Sequence, residues 1–205
     1  MEHRKNGIRR IPELLAPAGN FEKLVTAIHY GADAVYLGGK NFSLRAHAAN
    51  FSEDEFKKAV AYAHDRSVKV YAAVNILAHN NDLNDLPDYL LHLKEIEVDG
   101  LIISDPGILA AAQKITPDIP IHLSTQANVT NVESALFWQN QGVRRINPAR
   151  ELSLAEIKAF KKRIQAEIEV FVHGALCISY SGRCLLSYYL TGRDANRGTC
   201  AQPCR

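Results

Sequence analysis

The first 176 residues of this 205-residue chain contain no cysteine. All four cysteines fall in the last stretch, at Cys177, Cys184, Cys200 and Cys204, spaced C-x6-C-x15-C-x3-C. Buried structural cysteines scatter through a sequence, so this distribution excludes ordinary core usage and points to a shared bond or ligand. No apolar run approaches the length of a membrane span. The N-terminus, MEHRKNGIRRIPELLA, has neither the apolar centre nor the cleavage pattern of an export signal. No membrane association is expected, and a reducing cytoplasm is. There is no low-complexity segment, no G-x-S-x-G elbow and no H-E-x-x-H pair, so the usual hydrolase signatures are missing. A net charge of +2 makes the whole chain no obvious polyanion binder, but the charge is uneven, with basic residues gathered at the N-terminus and from Ser181 to the end.

Three chemistries suit the cysteine cluster. Two disulfides would need an oxidising compartment. A structural zinc site usually takes two tight C-x2-4-C pairs, and only Cys200 and Cys204 have that spacing. An iron–sulfur cluster is held by thiolates and tolerates wider spacing. Spacing favours metal over disulfide without choosing the metal.

With 47% apolar residues the chain can bury one full core. A polar arm over residues 1–11 precedes a repeating pattern. Short apolar runs at Glu13–Ala16, Ala34–Leu37, Lys69–Val74, Leu101–Ile103, Ile121–Leu123, Arg145–Asn147 and Ile168–Val172 read as strands. Between them lie stretches of helical period, such as Phe21, Leu24, Val25 and Ile28. Asn20 reads as an N-cap, Ser52 with Glu55 and Ser153 with Glu156 as capping boxes, and Asp105-Pro106 as a cap followed by proline at the first helical position. Proline at position 148 lacks a ladder donor and should end the sixth strand early. Seven βα units imply a parallel sheet with helical crossovers. They fit a TIM-like (β/α)8 barrel over residues 12–172, expected to stop after about seven units, followed by a cysteine-rich segment over 173–205.

Barrel sites form at the C-terminal ends of the strands. The loops expected there carry Lys40, Arg45, His47, Asn75, His79, Ser124, Gln126, Asn128, Arg150 and His173. Arg45, Arg150 and Arg183 suggest an anionic substrate such as a carboxylate or phosphate. His173, four residues before Cys177, suits a proton carrier or a neighbour of a metal ligand. Tyr180, Tyr188 and Tyr189, near basic residues, would allow base stacking, although tyrosines in an apolar run more often belong to a core.

The stretch Glu169–Cys184, EVFVHGALCISYSGRC, resembles the signature of the collagenase-like peptidases of unassigned catalytic type, the U32 family. Supporting stretches are ELLAPAG at Glu13–Gly19, GADAVY at Gly31–Tyr36, HLSTQAN at His122–Asn128, RELS at Arg150–Ser153 and the tail GRDANRGTC at Gly192–Cys200. The resemblance covers nearly the whole chain, and the tail is most similar to the branch concerned with tRNA uridine. It implies an RNA-modification enzyme rather than a conventional peptidase, with prephenate-dependent 5-hydroxylation of a wobble uridine as the expected reaction and proteolysis as the alternative. It implies a [4Fe–4S] cluster on Cys177, Cys184, Cys200 and Cys204, with zinc as the alternative. Together with the loop placement above, this makes His173, Arg45 and Arg150 the expected catalytic groups and Arg45, Gln126, Asn128, Arg150 and Arg183 the expected substrate contacts. RNA, a small anionic co-substrate and a partner subunit are the expected partners. A non-catalytic barrel with a structural zinc that binds RNA or a partner subunit is the remaining reading. Because members of the family continue past this point, the segment is expected to be followed by more chain.

Overall fold

A computed structural model describes residues 11–44, 50–174 and 176–205. Seven strands, β1 (Leu15–Pro17), β2 (Ala34–Gly38), β3 (Lys69–Val74), β4 (Gly100–Ile103), β5 (Ile121–Leu123), β6 (Arg145–Ile146) and β7 (Glu167–Ile168), lie side by side in chain order. Every pairing is parallel. Six helices make the crossovers: α1 (Phe21–His29), α2 (Glu53–His64), α3 (Asp82–Glu95), α4 (Pro106–Ile115), α5 (Val132–Asn140) and α6 (Leu154–Arg163). A seventh, α7 (Leu186–Thr191), lies in the cysteine segment. Parallel strands in unbroken sequential order, each returned by a helix, are the arrangement of a (β/α)8-type barrel rather than a doubly wound sheet.

The expected caps form. Asn20 accepts a hydrogen bond from the Lys23 amide. Both capping boxes close reciprocally, Ser52 with Glu55 and Ser153 with Glu156. Asp105 caps α4 with Pro106 in its first turn. Each satisfies amides that a helix start would otherwise leave without an acceptor.

Alternation along the strands sorts residues onto two faces. Val35, Leu37, Val70, Ala72, Val74, Leu101, Ile103, Leu123 and Ile146 join the apolar layer under the helices, against Leu24, Phe56, Leu90, Ile108 and Phe160. The intervening residues point into the barrel. At its N-terminal end the interior is polar. The Glu13 carboxylate accepts from Tyr71 at 2.8 Å, from Lys69 at 3.0 Å and from Arg145 at 2.7 Å. Glu13 precedes β1 and Arg145 lies on β6, so this contact spans the interior and records how far the sheet has curled. The ring of His122, on β5, meets that of Tyr71 edge-on at 4.5 Å.

Two strands differ from their sequence reading by more than one residue at an end. The first pairs over Leu15–Pro17, which releases Glu13 for the interior network. The last is Glu167–Ile168 rather than Ile168–Val172. β6 ends ahead of Pro148, as its missing donor requires. With two residues of β6 to pair against, β7 makes its last ladder bond from the Glu169 amide to the Ile146 carbonyl. Val170, Phe171 and Val172 then run on outside any strand, and exposed.

Candidate cofactor and substrate site at the barrel mouth

Because every strand is parallel, all seven C-terminal ends open on the same side. A cavity of about 430 Å³ lies there. Its lower wall comes from strand ends and the residues just after them: Gly19 after β1, Asn75 after β3, Ser124 and Gln126 after β5, Asn147 and Arg150 after β6, and Glu169 after β7. Its upper wall is the cysteine segment, and all four cysteines line it. All four are free thiols. Among the described residues, no three His, Cys, Asp or Glu side chains are gathered closely enough to ligate one metal ion. The thiols therefore share a cavity without converging on a point.

Hydrogen bonds to backbone carbonyls hold the segment in place. The Arg150 guanidinium donates to the carbonyls of Cys177 and Ser179, the latter at 2.6 Å, and to the Ser181 hydroxyl at 3.1 Å. Thr125 meets the same hydroxyl at 3.4 Å. The buried Asn196 side chain donates to the Cys184 carbonyl at 3.1 Å, and the Asn196 backbone carbonyl accepts from the Leu77 amide at 2.9 Å. Arg193 donates to the carbonyls of Thr199 and Cys200. Arg197 makes a two-pronged pair with Asp82 at 2.6 and 2.8 Å, tying the segment to the start of α3. That guanidinium holds the Asp82 carboxyl down at about 2. At Gly182 the backbone has a φ of +68°, and a β-carbon there would run into the Gln126 carbonyl oxygen. The residue is glycine because the loop lies directly on the barrel rim.

The residues singled out from sequence distribute unevenly. Gln126 and Arg150 line the cavity. Arg150 spends its donors on the cysteine loop, which makes it a clamp on Cys177 in addition to any substrate contact. Asn128 sits in a left-handed turn behind the rim, and Arg183 and His173 are exposed; none of the three lines the cavity. Arg45 and His47 lie outside the described residues. Arg205 reaches the cavity wall, donating to the Leu176 carbonyl at 3.2 Å.

Sequence reasoning missed Glu169 and Asn147. The Asn147 amide donates to Glu169 at 2.9 Å, and Arg145 stands 3.9 Å from the second carboxylate oxygen. Only 20% of the Glu169 side chain is exposed, and burial pushes its pKa up despite Arg145 and Asn147. A carboxyl in such a site can hold a proton nearer neutrality than a free glutamate. The signal was in the run Glu167-Ile168-Glu169: two carboxylates two residues apart, on one face of a strand whose other face is apolar.

Comparison with known proteins agrees with this architecture. The profile of Peptidase family U32 matches residues 19–205. The chain is 47% identical over 201 residues to "tRNA hydroxylation protein P1" of Bacillus subtilis (strain 168), covering 98% of this chain and 48% of that protein. It is 42% identical over 193 residues to the 23S rRNA 5-hydroxycytidine synthase of Escherichia coli (strain K12), covering 94% of this chain and 29% of that protein. The chain thus spans about half the length of the first of these relatives, or less than a third of the second. Among solved structures, the U32 peptidase Mk0906 superposes with a TM-score of 0.68 at 19% identity, over 83% of this chain and 71% of the other, which bears on the fold alone. On the match over residues 19–205 and the shared barrel, the chain belongs to Peptidase family U32.

Proposed function

We propose that this chain forms the catalytic barrel of an RNA hydroxylase that modifies C5 of a pyrimidine, with the wobble uridine of tRNA as substrate and prephenate as a small anionic co-substrate. The observation that carries the reading is the cavity at the barrel mouth with four free thiols on one wall. Relatives named for tRNA hydroxylation and for 5-hydroxycytidine synthesis support the reaction class.

The donor set suits a [4Fe–4S] cluster held by Cys177, Cys184, Cys200 and Cys204. A cubane takes each thiolate on a different iron, so its ligands stand around a volume, whereas zinc draws four thiolates to one point. The Cys200 sulfur accepts the Gln202 amide N–H at 3.3 Å, a contact that favours the thiolate and tunes a cluster's potential. When bound, such a group supplies one-electron chemistry beside the cavity. The chain's own residues do the rest. Arg150, Asn196 and Arg193 fix the cysteine backbone. Arg205 offers positive charge at the wall to a co-substrate carboxylate. Glu169 holds or releases a proton at the cavity floor. His173, exposed and away from the cavity, leaves a Cys–His nucleophile pair without support in the geometry. A reducing cytoplasm accords with four unpaired thiols. No helix among the described residues is long and apolar enough to cross a membrane.

The test is anaerobic purification of the full protein with iron, sulfide and zinc analysis, followed by a tRNA hydroxylation assay. Near-stoichiometric iron and sulfide with broad visible absorbance is expected, and Cys177→Ala should lose both the absorbance and the activity. Zinc alone, or an unaltered cluster in Cys177→Ala, would overturn the assignment.

A further inference from the structure

The cysteine segment presents aromatic side chains that the barrel does not use. Tyr180, Tyr188 and Tyr189 are 64%, 57% and 85% exposed. In sequence these tyrosines read most simply as core; the structure turns them outward. The reason lies in α7. Its inward residue is Ser187, fully buried, which donates to the Arg193 carbonyl at 2.6 Å and accepts from the Ala201 amide at 2.9 Å. With the serine inward, Tyr188 and Tyr189 must face solvent. Tyr180 stands at the cavity's edge and contributes to its lining. Its carbonyl accepts the Arg183 amide at 3.2 Å, so one turn joins this tyrosine to an exposed arginine.

The charge of the segment is one-sided. Residues 176–205 carry Arg183, Arg193, Arg197 and Arg205 against Asp194 alone, with no lysine or glutamate, while the rest of the chain has a slight acidic excess. Asp82 neutralises Arg197, and Arg193 donates to carbonyls that leave its charge uncompensated. Among the described residues, Arg183 has no side-chain partner.

We infer that the exposed residues Tyr180, Arg183, Tyr188 and Tyr189 of the cysteine segment form a docking surface for single-stranded RNA that leads, through Tyr180, to the cavity that receives the target base; the inference rests on the function proposed above. A base can enter a cavity of this kind only when it is out of its stack, which leaves its neighbours unstacked as well. Exposed tyrosine rings give those bases a surface to stack on, and uncompensated arginines meet the phosphates between them. A protein partner would also accept apolar residues here. The near-absence of carboxylates in the segment, and the place of Tyr180 in the cavity lining, favour the polyanion.

The experiment is fluorescence anisotropy with a labelled anticodon stem–loop RNA on the full protein, across a salt series, with iron content and sedimentation measured on every variant. Tyr188→Ala and Tyr189→Ala should each weaken binding roughly tenfold, and Tyr189→Phe should restore it, because stacking needs the ring and not the hydroxyl. Arg183→Ala should reduce the slope of log affinity against log salt by about 0.7. Iron content should stay at the wild-type value in all of them. If wild type binds and hydroxylates RNA while the tyrosine variants bind equally well, the docking surface is refuted and the proposed function stands. The surface is refuted in the same way if those variants keep RNA affinity but change oligomeric state, which would mark a protein interface. Wild-type protein that carries its cluster yet neither binds nor modifies RNA would overturn the proposed function, and the surface with it.

Discussion

The barrel and the cysteine segment are held together by different forces. Every buried apolar side chain among the described residues lies between Ala18 and Ala166. After β7 the buried residues are Gly198 and three polar ones, Ser181, Ser187 and Asn196, whose side chains take part in hydrogen bonds that fix the segment. Apolar burial is non-directional and sums over many contacts. A polar seam depends on a few directional bonds, each of modest net value but costly to leave unmade. The barrel should therefore tolerate rearrangement of the segment, and the segment should be sensitive to small errors in placement. A bound cluster would add the restraint that the segment's own side chains do not supply.

Three changes sharpen that contrast. Leu101→Ala, at a fully buried site on β4, should cost about 2–5 kcal/mol. Denaturant melting should show barrel and segment lost together. Gly182→Ala should act locally, because it adds a β-carbon at a positive φ and against the Gln126 carbonyl. Faster amide exchange over residues 176–205 and lower iron content are expected, with the main thermal transition nearly unmoved. Loss of the whole fold in that variant would mean the two regions are not separable.

Acidification should produce the smallest and most gradual effect, in the barrel's polar interior and at the Asp82–Arg197 pair that ties the segment to α3. Burial, reinforced by Arg145, holds the His122 pKa down at about 4. Its contribution is complete above the ordinary histidine value near 6.5 and is lost as pH falls towards 4. Burial alone would raise Glu13, but hydrogen bonds from Arg145, Lys69 and Tyr71 outweigh it and hold the carboxyl at about 2. Its contribution is complete above about 4.5 and is lost as pH falls towards 2. Glu169, raised by burial, has the opposite sign: its contribution is present at low pH and lost as pH rises through its folded value. Thermal melts from pH 7 to pH 3 should thus show two steps of destabilisation. His122→Phe should remove the first step and leave the second; a variant that keeps both would show that another group titrates.

Much of the barrel was legible in the chain because local rules suffice for it. The caps at Asn20, Ser52, Asp105 and Ser153 are set within four residues. The shortness of β6 follows from the missing donor of Pro148. The shortness of β7 did not follow from its own apolar run, because a strand lasts only as far as its neighbour can pair. The site was legible in part. The grouping of the cysteines and the placement of Gln126 and Arg150 at the mouth came from order and spacing. Arg150 as a clamp, the outlying positions of His173 and Arg183, and the buried pair of Asn147 with Glu169 did not, since each depends on what another loop places opposite.

The sequence by itself determined the order of strands and helices, the parallel pairing that such alternation enforces, and the family, because periodicity, capping and motif are properties of neighbouring residues. Only the tertiary structure decided which polar groups meet. Curling the sheet brings Glu13 to Arg145 and the four thiols to one wall, over separations of 132 residues in the first case. The curling of a sheet is a global condition that no local stretch encodes. The raised pKa of Glu169 and the outward tyrosines of α7 follow from that curling and from the packing of the segment over the barrel mouth.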